Sequence, residues 1–284
     1  MSEAPMAAVS PRHAPRFAQW RLATGATITT GVIAVALLSL VWMPQNPIRI
    51  RILQKLQPPL TDGLFGTDHL GRDVLSMVMA GSFNSLSISL LSVLLGMSVG
   101  TALGILCAAR RGAIDTVIMR VCDAIFALPP LISAIMIAAL LGGGVLTAVI
   151  AIATFMVPVF ARIGRSTAQQ IWARDYVLAA RMAGRGRFAI SFAHVLPNIA
   201  SQIIVQAAIQ LALAMLTEAG LSFLGLGVAP PNPSWGRMLA DSQTYLGTAP
   251  YLALVPGLAI AITVLGLNLL GDGLRDYLDP RQRL

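Results

Sequence analysis

The sequence predicts an all-α, polytopic membrane protein with six transmembrane helices. Of its 284 residues, 56% are hydrophobic and only 11% are charged, whereas soluble domains carry roughly 25% charged residues. The uncharged residues fall in long runs, and a helix of about 20 such residues crosses a bilayer core of about 30 Å. So few charged residues cannot cover a surface that faces water on all sides. These observations exclude a soluble globular domain.

Five uncharged runs predict the six helices. The longest, 124–161, has 38 residues and is too long for one span, and three glycines at 142–144 predict a tight turn between two helices. The predicted bounds are 22–43, 81–109, from near Thr116 to the glycines, from the glycines to 161, 198–217 and 251–271. An even number of spans places both termini on the same side.

Positive residues fix the orientation. Fifteen of the 20 lysines and arginines fall on one side of the predicted helices, and the other five are Arg49, Arg51, Lys55, Arg72 and Arg237. Because cytoplasmic segments carry the excess of positive residues, both termini are expected in the cytoplasm. The net charge of +8 therefore reflects membrane orientation, and no nucleic-acid partner is expected.

The segments between the helices complete the predicted organisation. A cytoplasmic tail at 1–21 precedes the first helix, and extracytoplasmic segments are predicted at 44–80 and 218–250. The only sizeable cytoplasmic loop, 162–197, is too short to fold as a domain. We therefore expect this loop to dock onto another protein.

Catalytic chemistry is not expected of this chain. Its single lysine, Lys55, lies outside the membrane, so the lysine of a P-loop ATPase is missing. No pattern predicts a catalytic or metal-binding site. Asp123 follows Arg120 by three residues, a spacing that predicts a local ion pair, and no acidic residue is expected near the membrane midplane, where ion-coupled transporters need one. A subunit driven by a partner is favoured, and a secondary transporter or channel with no ATPase partner is the alternative.

The cytoplasmic loop contains the most specific pattern of the chain. Residues 175–184 read Asp-Tyr-Val-Leu-Ala-Ala-Arg-Met-Ala-Gly, nine residues follow, and 194–198 read His-Val-Leu-Pro-Asn. This pattern resembles the EAA loop of ABC importer permeases, in which Glu-Ala-Ala is followed by three residues, Gly, nine residues and a segment ending in Leu-Pro. Small Ala179 and Ala180 allow close approach, and Gly184 can end a helix. Leu178 stands where that family usually has Glu.

In that family the short helix of the loop sits in a groove of the ATPase subunit and transmits its closure to the membrane helices. The resemblance implies that the coupling residues are Asp175, Tyr176, Ala179, Ala180, Arg181, Gly184, His194, Leu196 and Pro197. A generic basic loop at the membrane surface is the alternative interpretation.

Three further segments, 66–76, 222–236 and 271–281, are similar to the C-type permeases of dipeptide, oligopeptide and nickel importers. The similarity implies a core permease domain at 81–284. This sequence departs from the family's pattern at Met77 and Phe83, where those permeases often have arginine. The residues implied on the side of a solute-binding protein are Asp68, Arg72, Asp73, Pro231 and Trp235. Trp235 is also suited to anchoring a loop at the membrane interface.

The resemblance implies a type I ABC importer permease in a bacterial inner membrane. The expected partners are a second, homologous permease as a heterodimer, two cytoplasmic ABC ATPase subunits, an extracytoplasmic solute-binding protein and the lipid membrane. The chain itself would bind no cofactor, and its ATPase partners would use ATP and Mg. Di- or oligopeptides are the expected cargo, and nickel or another small solute is the alternative.

Two helix faces are marked by a four-residue spacing. Gly96, Gly100 and Gly104 place small residues on one face of the second helix, which predicts close packing against another helix. Gln202, Gln206 and Gln210 span an arc of about 80° on the fifth helix. Because amides are costly in lipid, these glutamines are expected to line a polar translocation path or to form hydrogen bonds between helices.

Overall fold

The computed structural model describes residues 16–278, and these residues form a bundle of α-helices. The helices are α1 Arg16–Leu38, α2 Val74–Ala109, α3 Ala113–Phe126, α4 Pro130–Leu141, α5 Val145–Trp172, α6 Asp175–Met182, α7 Arg187–Ile190, α8 Leu196–Phe223, α9 Trp235–Ser242 and α10 Tyr251–Leu278. Short 3-10 turns at Ile52–Gln54 and Gln243–Tyr245 and a π turn at Ser191–Val195 complete them. Across this part of the chain the only β-type pairing is an isolated bridge between Thr67 and Asp73.

Five helical stretches are long and apolar enough to cross a membrane. They are Gln19–Leu38, Val74–Ala109, Val145–Trp172, Arg187–Phe223 and Tyr251–Leu278. Helices α3 and α4 pass the same test together, but the pair is bent by 91°. At 1.5 Å per residue α4 is only about 18 Å long, so it cannot cross a core of about 30 Å alone. The predicted all-α polytopic fold is confirmed, with five spans, or six if the bent α3–α4 pair is counted as one.

The bend corrects the prediction of one continuous third helix. Ala127–Pro129 separates α3 from α4, and Pro129 has an extended backbone with ψ of 143°. Neither Pro129 nor Pro130 has an N–H to continue the hydrogen bonding of α3, and each proline disfavours a helical conformation in the residue before it. Pro130 instead begins α4. The predicted glycine turn is confirmed, with φ of +87° at Gly142 and +139° at Gly144.

Several helices extend beyond their predicted ends. Helix α2 begins at Val74, within the predicted extracytoplasmic segment, because the Asp73 carboxylate accepts a hydrogen bond from the Ser76 N–H at 2.8 Å and caps the helix. Helix α8 continues to Phe223, so Glu218 is helical although the sequence assigned it to a loop. Residues 1–15 of the predicted tail and 279–284 lie outside the described part of the chain.

Close helix packing organises the bundle. A methyl group at Gly96 would overlap Met156, and one at Gly100 would overlap the backbone of Val157, both on α5. The predicted packing face of α2 is therefore confirmed, and it lies against α5. Glycines also bring α1 against α10, since a methyl group at Gly25 would overlap the backbone of Leu270.

Candidate functional site

The cytoplasmic loop folds into a compact unit, which we call the coupling segment, residues 173–197. Three of its side chains, Val177, Ile190 and Val195, are fully buried in one apolar cluster with Trp172 at the end of α5. Burial of these apolar groups is favourable and holds α6 against the ends of the membrane helices. Most of the remaining coupling segment is exposed. One face is thus anchored within the chain, and the opposite face is open.

Helix α6 matches the predicted coupling helix and its predicted end. The N–H of Gly184 donates to the carbonyl of Arg181 at 3.0 Å, and the N–H of Arg185 donates to the carbonyl of Ala180 at 3.1 Å. This pair of hydrogen bonds is a Schellman motif, which needs a left-handed residue after the helix. Gly184 supplies it with φ of +80°.

The open face of α6 is largely apolar. Tyr176 is 46% exposed, Leu178 43% and Met182 90%. The Tyr176 ring also meets His194 edge to face, with 6.1 Å between ring centroids. Leu178, which replaces the usual Glu, therefore lies on the open face and leaves the packing of α6 unaffected.

The Leu-Pro pair of the motif lies where a π turn passes directly into α8, within the continuous helical stretch Arg187–Phe223. Pro197 has no N–H to donate, and the π turn at Ser191–Val195 immediately precedes α8. The Asn198 side chain donates to the carbonyl of His194 at 2.6 Å. Leu196 and Pro197 thus occupy the joint between the coupling segment and α8.

Two ion pairs join α3 to the cytoplasmic part of α5, and neither was predicted from the sequence. Arg165 donates from Nε and Nη2 to the two oxygens of Asp115, at 2.5 and 2.6 Å. Arg162 donates to Asp123 at 2.6 Å and covers the Phe126 ring at 4.4 Å. The predicted pairing of Asp123 with Arg120 is therefore wrong. The two partner pairs are 50 and 39 residues apart, so local spacing does not reveal them.

The three glutamines of α8 lie in three different environments. Gln202 is exposed, Gln206 is partly buried, and Gln210 is only 7% exposed. The side-chain oxygen of Gln210 accepts no hydrogen bond. The stripe thus runs from an open surface into the bundle.

On the extracytoplasmic side, residues 44–73 and 224–250 form a layer over the helix ends, which we call the outer layer. Arg72 donates to Asp68 from Nε at 2.7 Å and lies 2.6 Å from it through Nη2. The same guanidinium is 3.9 Å from Asp241 of α9. The Tyr251 hydroxyl contacts the carbonyls of Gln57 and Thr67, both at 2.9 Å. The Arg72–Asp241 contact joins the two halves of the outer layer, and the Tyr251 hydroxyl joins the 44–73 half to α10.

Most of the residues predicted to face a binding protein are buried in the outer layer. Asp68, Asp73 and Trp235 are at most 4% exposed and Arg72 is 8% exposed, whereas Pro231 is exposed. The Trp235 indole donates to the carbonyl of Val78 at 3.0 Å. Within this chain these four buried side chains hold the outer layer together, and contact of this side with a binding protein stays a prediction.

The described residues contain no group of three or more His, Cys, Asp or Glu side chains that could hold a metal ion. Met77, at a position where an arginine is frequent in similar permeases, is 3% exposed and belongs to an apolar cluster with Val74, Met215 and Trp235. An arginine would have no room for its charge in this cluster.

Comparisons with known proteins agree with this architecture. The chain is 40% identical over 251 residues to the glutathione transport system permease protein GsiD of Pectobacterium atrosepticum, covering 88% of this chain and 83% of that protein. It is 45% identical over 218 residues to the di/tripeptide transport system permease protein DppC of Pseudomonas aeruginosa, covering 77% and 72%.

A solved structure supports the fold. One chain of the inward-facing MetNI methionine ABC transporter superposes with a TM-score of 0.58 at 17% identity, covering 69% of this chain and 93% of that one. The protein is a multi-pass permease of the bacterial inner membrane, and ATP hydrolysis belongs to separate subunits. The model of the binding-protein-dependent transport system inner membrane component family matches residues 100–284, and the chain belongs to that family.

Proposed function

We propose that this chain is one of two permeases in an importer of short peptides. The main support is the 45% identity to a di/tripeptide permease, together with the 40% identity to a glutathione permease, since glutathione is itself a tripeptide. A solute-binding protein would deliver the peptide, and a second, homologous permease would complete the path. Two cytoplasmic ATPase subunits would supply the energy from ATP and Mg.

The coupling segment is the proposed contact with the ATPases. Its open face presents Tyr176, Leu178 and Met182, which are large enough to fill a groove on a partner. Its other face is tied to α5 through Val177 and Trp172. A movement of α6 would therefore reach α5 and, through the joint at Pro197, α8.

The ion pairs of α3 extend the proposed coupling path. Arg162 and Arg165 lie on the part of α5 nearest to α6, and each holds one aspartate of α3. The two-point contact of Arg165 with Asp115 fixes the relative geometry of these two side chains. Arg162 adds a single contact with Asp123, so α3 and the bent joint to α4 would move with α5. The motion of the ATPases would thereby reach the bent α3–α4 pair.

Gln202, Gln206 and Gln210 are the proposed polar wall of the path. Amide groups can donate to and accept from a peptide backbone, and the stripe extends from an exposed to a buried position along α8. Replacing all three with leucine should abolish most uptake while leaving assembly with the ATPases intact. Unchanged uptake by this variant would contradict the proposed wall.

The peptide assignment is tested by uptake into cells that express the importer and its binding protein as the only peptide importer. Labelled dipeptide, tripeptide and glutathione should enter, and the free amino acid and nickel should not. Binding of each solute to the purified binding protein should follow the same order. Uptake of nickel without peptide would replace the peptide assignment with the nickel alternative.

A further inference from the structure

A groove of about 660 Å³ lies beside the cytoplasmic end of α2. One wall is formed by α2 from Met97 to its end and by Arg110, which follows it, and the other wall runs from Arg187 in α7 to Ile203 in α8. The lining is mainly apolar, and its only charged side chains are Arg110 and Arg187. The groove therefore combines an apolar interior with two positive charges.

Both charges lie on the cytoplasmic side in the orientation given by the arginine distribution. Arg110 follows the last residue of α2, and Arg187 begins α7. Over residues 16–278 neither arginine forms a salt bridge, and no acidic residue lines the groove. Because the cytoplasmic leaflet carries anionic lipids, the unneutralised charges match its headgroups.

The apolar walls match an acyl chain. Phe188 is 84% exposed and Phe192 is 67% exposed, and their stacked rings have centroids 6.4 Å apart. The α2 wall continues along the helix as an exposed row of leucines, namely Leu90, Leu91, Leu94 and Leu95. Thr101 also lines the groove, is only 6% exposed, and has a hydroxyl without a hydrogen-bond partner.

We propose that this groove binds an anionic phospholipid of the cytoplasmic leaflet. Arg110 and Arg187 would contact its phosphate, and an acyl chain would lie against Phe192 and the α2 wall. Because Arg187 belongs to the coupling segment, the lipid would join that segment to α2 at the membrane surface. This site is independent of which solute the importer carries.

Native mass spectrometry of the purified importer complex tests the proposal. The complex is incubated with phosphatidylglycerol or with phosphatidylcholine of the same acyl chains, and retained lipid is counted. Each arginine near an anionic surface raises the binding affinity about fivefold, so phosphatidylglycerol should bind about 25-fold more tightly than phosphatidylcholine. The double variant R110Q/R187Q should lose this preference.

The variant R111Q/R185Q is the matched control. It removes two neighbouring exposed arginines that do not line the groove, and it should keep the preference. If R110Q/R187Q does not assemble, the variant A102F tests the proposal instead. It fills the apolar part of the groove while keeping both arginines, so it should reduce retention of either lipid.

Three results would overturn the proposal. The first is equal binding of the two lipids by the unmodified complex. The second is an unchanged preference in R110Q/R187Q or unchanged retention in A102F. The third is efficient cross-linking of A102C to the second permease, because a protein segment would then fill the groove.

Discussion

The outer layer and the coupling segment differ in how many of their side chains are buried and bonded within this chain. In the outer layer Asp68, Arg72 and Asp73 are buried and bonded to groups within the chain. In the coupling segment Val177 is the only buried residue between 173 and 189. Buried and fully bonded polar groups make a rigid structure, whereas an open apolar face is typical of an interface. These three charged residues of the outer layer are therefore satisfied within this chain, whereas most of the coupling segment is open to a partner.

This contrast has a mechanical meaning for a permease driven from the cytoplasm. A segment that transmits motion must be anchored firmly to the membrane helices, and it must expose enough surface to bind the partner that moves it. The coupling segment is anchored through three buried side chains and exposes the rest of α6. In the outer layer, by contrast, Arg72 is paired with Asp68, and the Asp73 carboxylate accepts two hydrogen bonds from Ser76.

The largest loss of stability is expected for a substitution where the outer layer meets α2. Trp235 is 2% exposed, its indole N–H is bonded to Val78, and its ring contacts Gly81. Replacing Trp235 with alanine should lower the free energy of unfolding by about 3–5 kcal/mol, because it leaves a large cavity. Thermal unfolding of the purified protein in detergent measures this loss.

The variant Pro231→Ala is the control for Trp235→Ala, since Pro231 is exposed in the same loop. Exposed substitutions usually change stability by less than about 0.5 kcal/mol. Similar melting temperatures for the two variants would mean that the outer layer is not held by Trp235.

An intermediate loss of stability is expected when an ion pair of α3 is broken. Asp115 is 13% exposed in its side chain and Arg165 33%, whereas the Arg162 and Asp123 side chains are 46% and 59% exposed. Replacing Arg165 with alanine should cost about 2 kcal/mol, below the about 3–5 kcal/mol of a fully buried pair because water reaches the guanidinium. Replacing Arg162 should cost about 1 kcal/mol or less.

A double-mutant cycle separates the pairing from the loss of each side chain. D115A/R165A should be less destabilised than the sum of its single variants, because the second substitution removes an uncompensated charge. Strict additivity would show that the two side chains do not interact.

A smaller effect on stability is expected at the end of α6. Gly184 has φ of +80°, and a methyl group there would meet nothing within 4 Å, so Gly184→Ala adds only backbone strain of about 1–2 kcal/mol. That strain should misplace α6 and raise the amount of ATP hydrolysed for each solute imported. Gly186, with φ of −66°, is the matched control.

Gly186→Ala should leave the ratio of ATP hydrolysis to import unchanged, because alanine adopts that backbone conformation without strain. If Gly184→Ala also left the ratio unchanged while the ATPases stayed bound, the orientation of α6 would not control coupling.

Features with a local cause could be predicted from the sequence. The apolar runs predicted the spans, the glycine spacing predicted the packing face of α2, and the Ala-Ala-x-x-x-Gly pattern predicted α6 and its end at Gly184. Each depends on residues within a few turns of one another. The break at Pro129 and Pro130 is local as well, and two consecutive prolines were a sufficient signal for it.

Features that depend on distant partners could not be predicted. Asp123 has a basic residue three positions earlier, yet it pairs with Arg162 because α3 lies along α5. Trp235 follows a proline-rich stretch that is typical of an exposed loop, yet it is buried against α2. In both cases the choice between two local interpretations is made by the packing of a helix far away in the chain.

The smallest effect on stability is expected at Leu178, where the comparison of the two regions is sharpest. Leu178 is 43% exposed on the open face of α6, so Leu178→Glu should change the free energy of unfolding by less than about 0.5 kcal/mol. If the open face is completed by an ATPase, the same substitution should still change the affinity for the purified ATPase subunits, because an interface residue acts only once its partner is bound. Affinity is measured by titration in detergent, with the exposed position Ala189 changed to Glu as the control. An unchanged affinity in Leu178→Glu would place the ATPase contact elsewhere on the coupling segment.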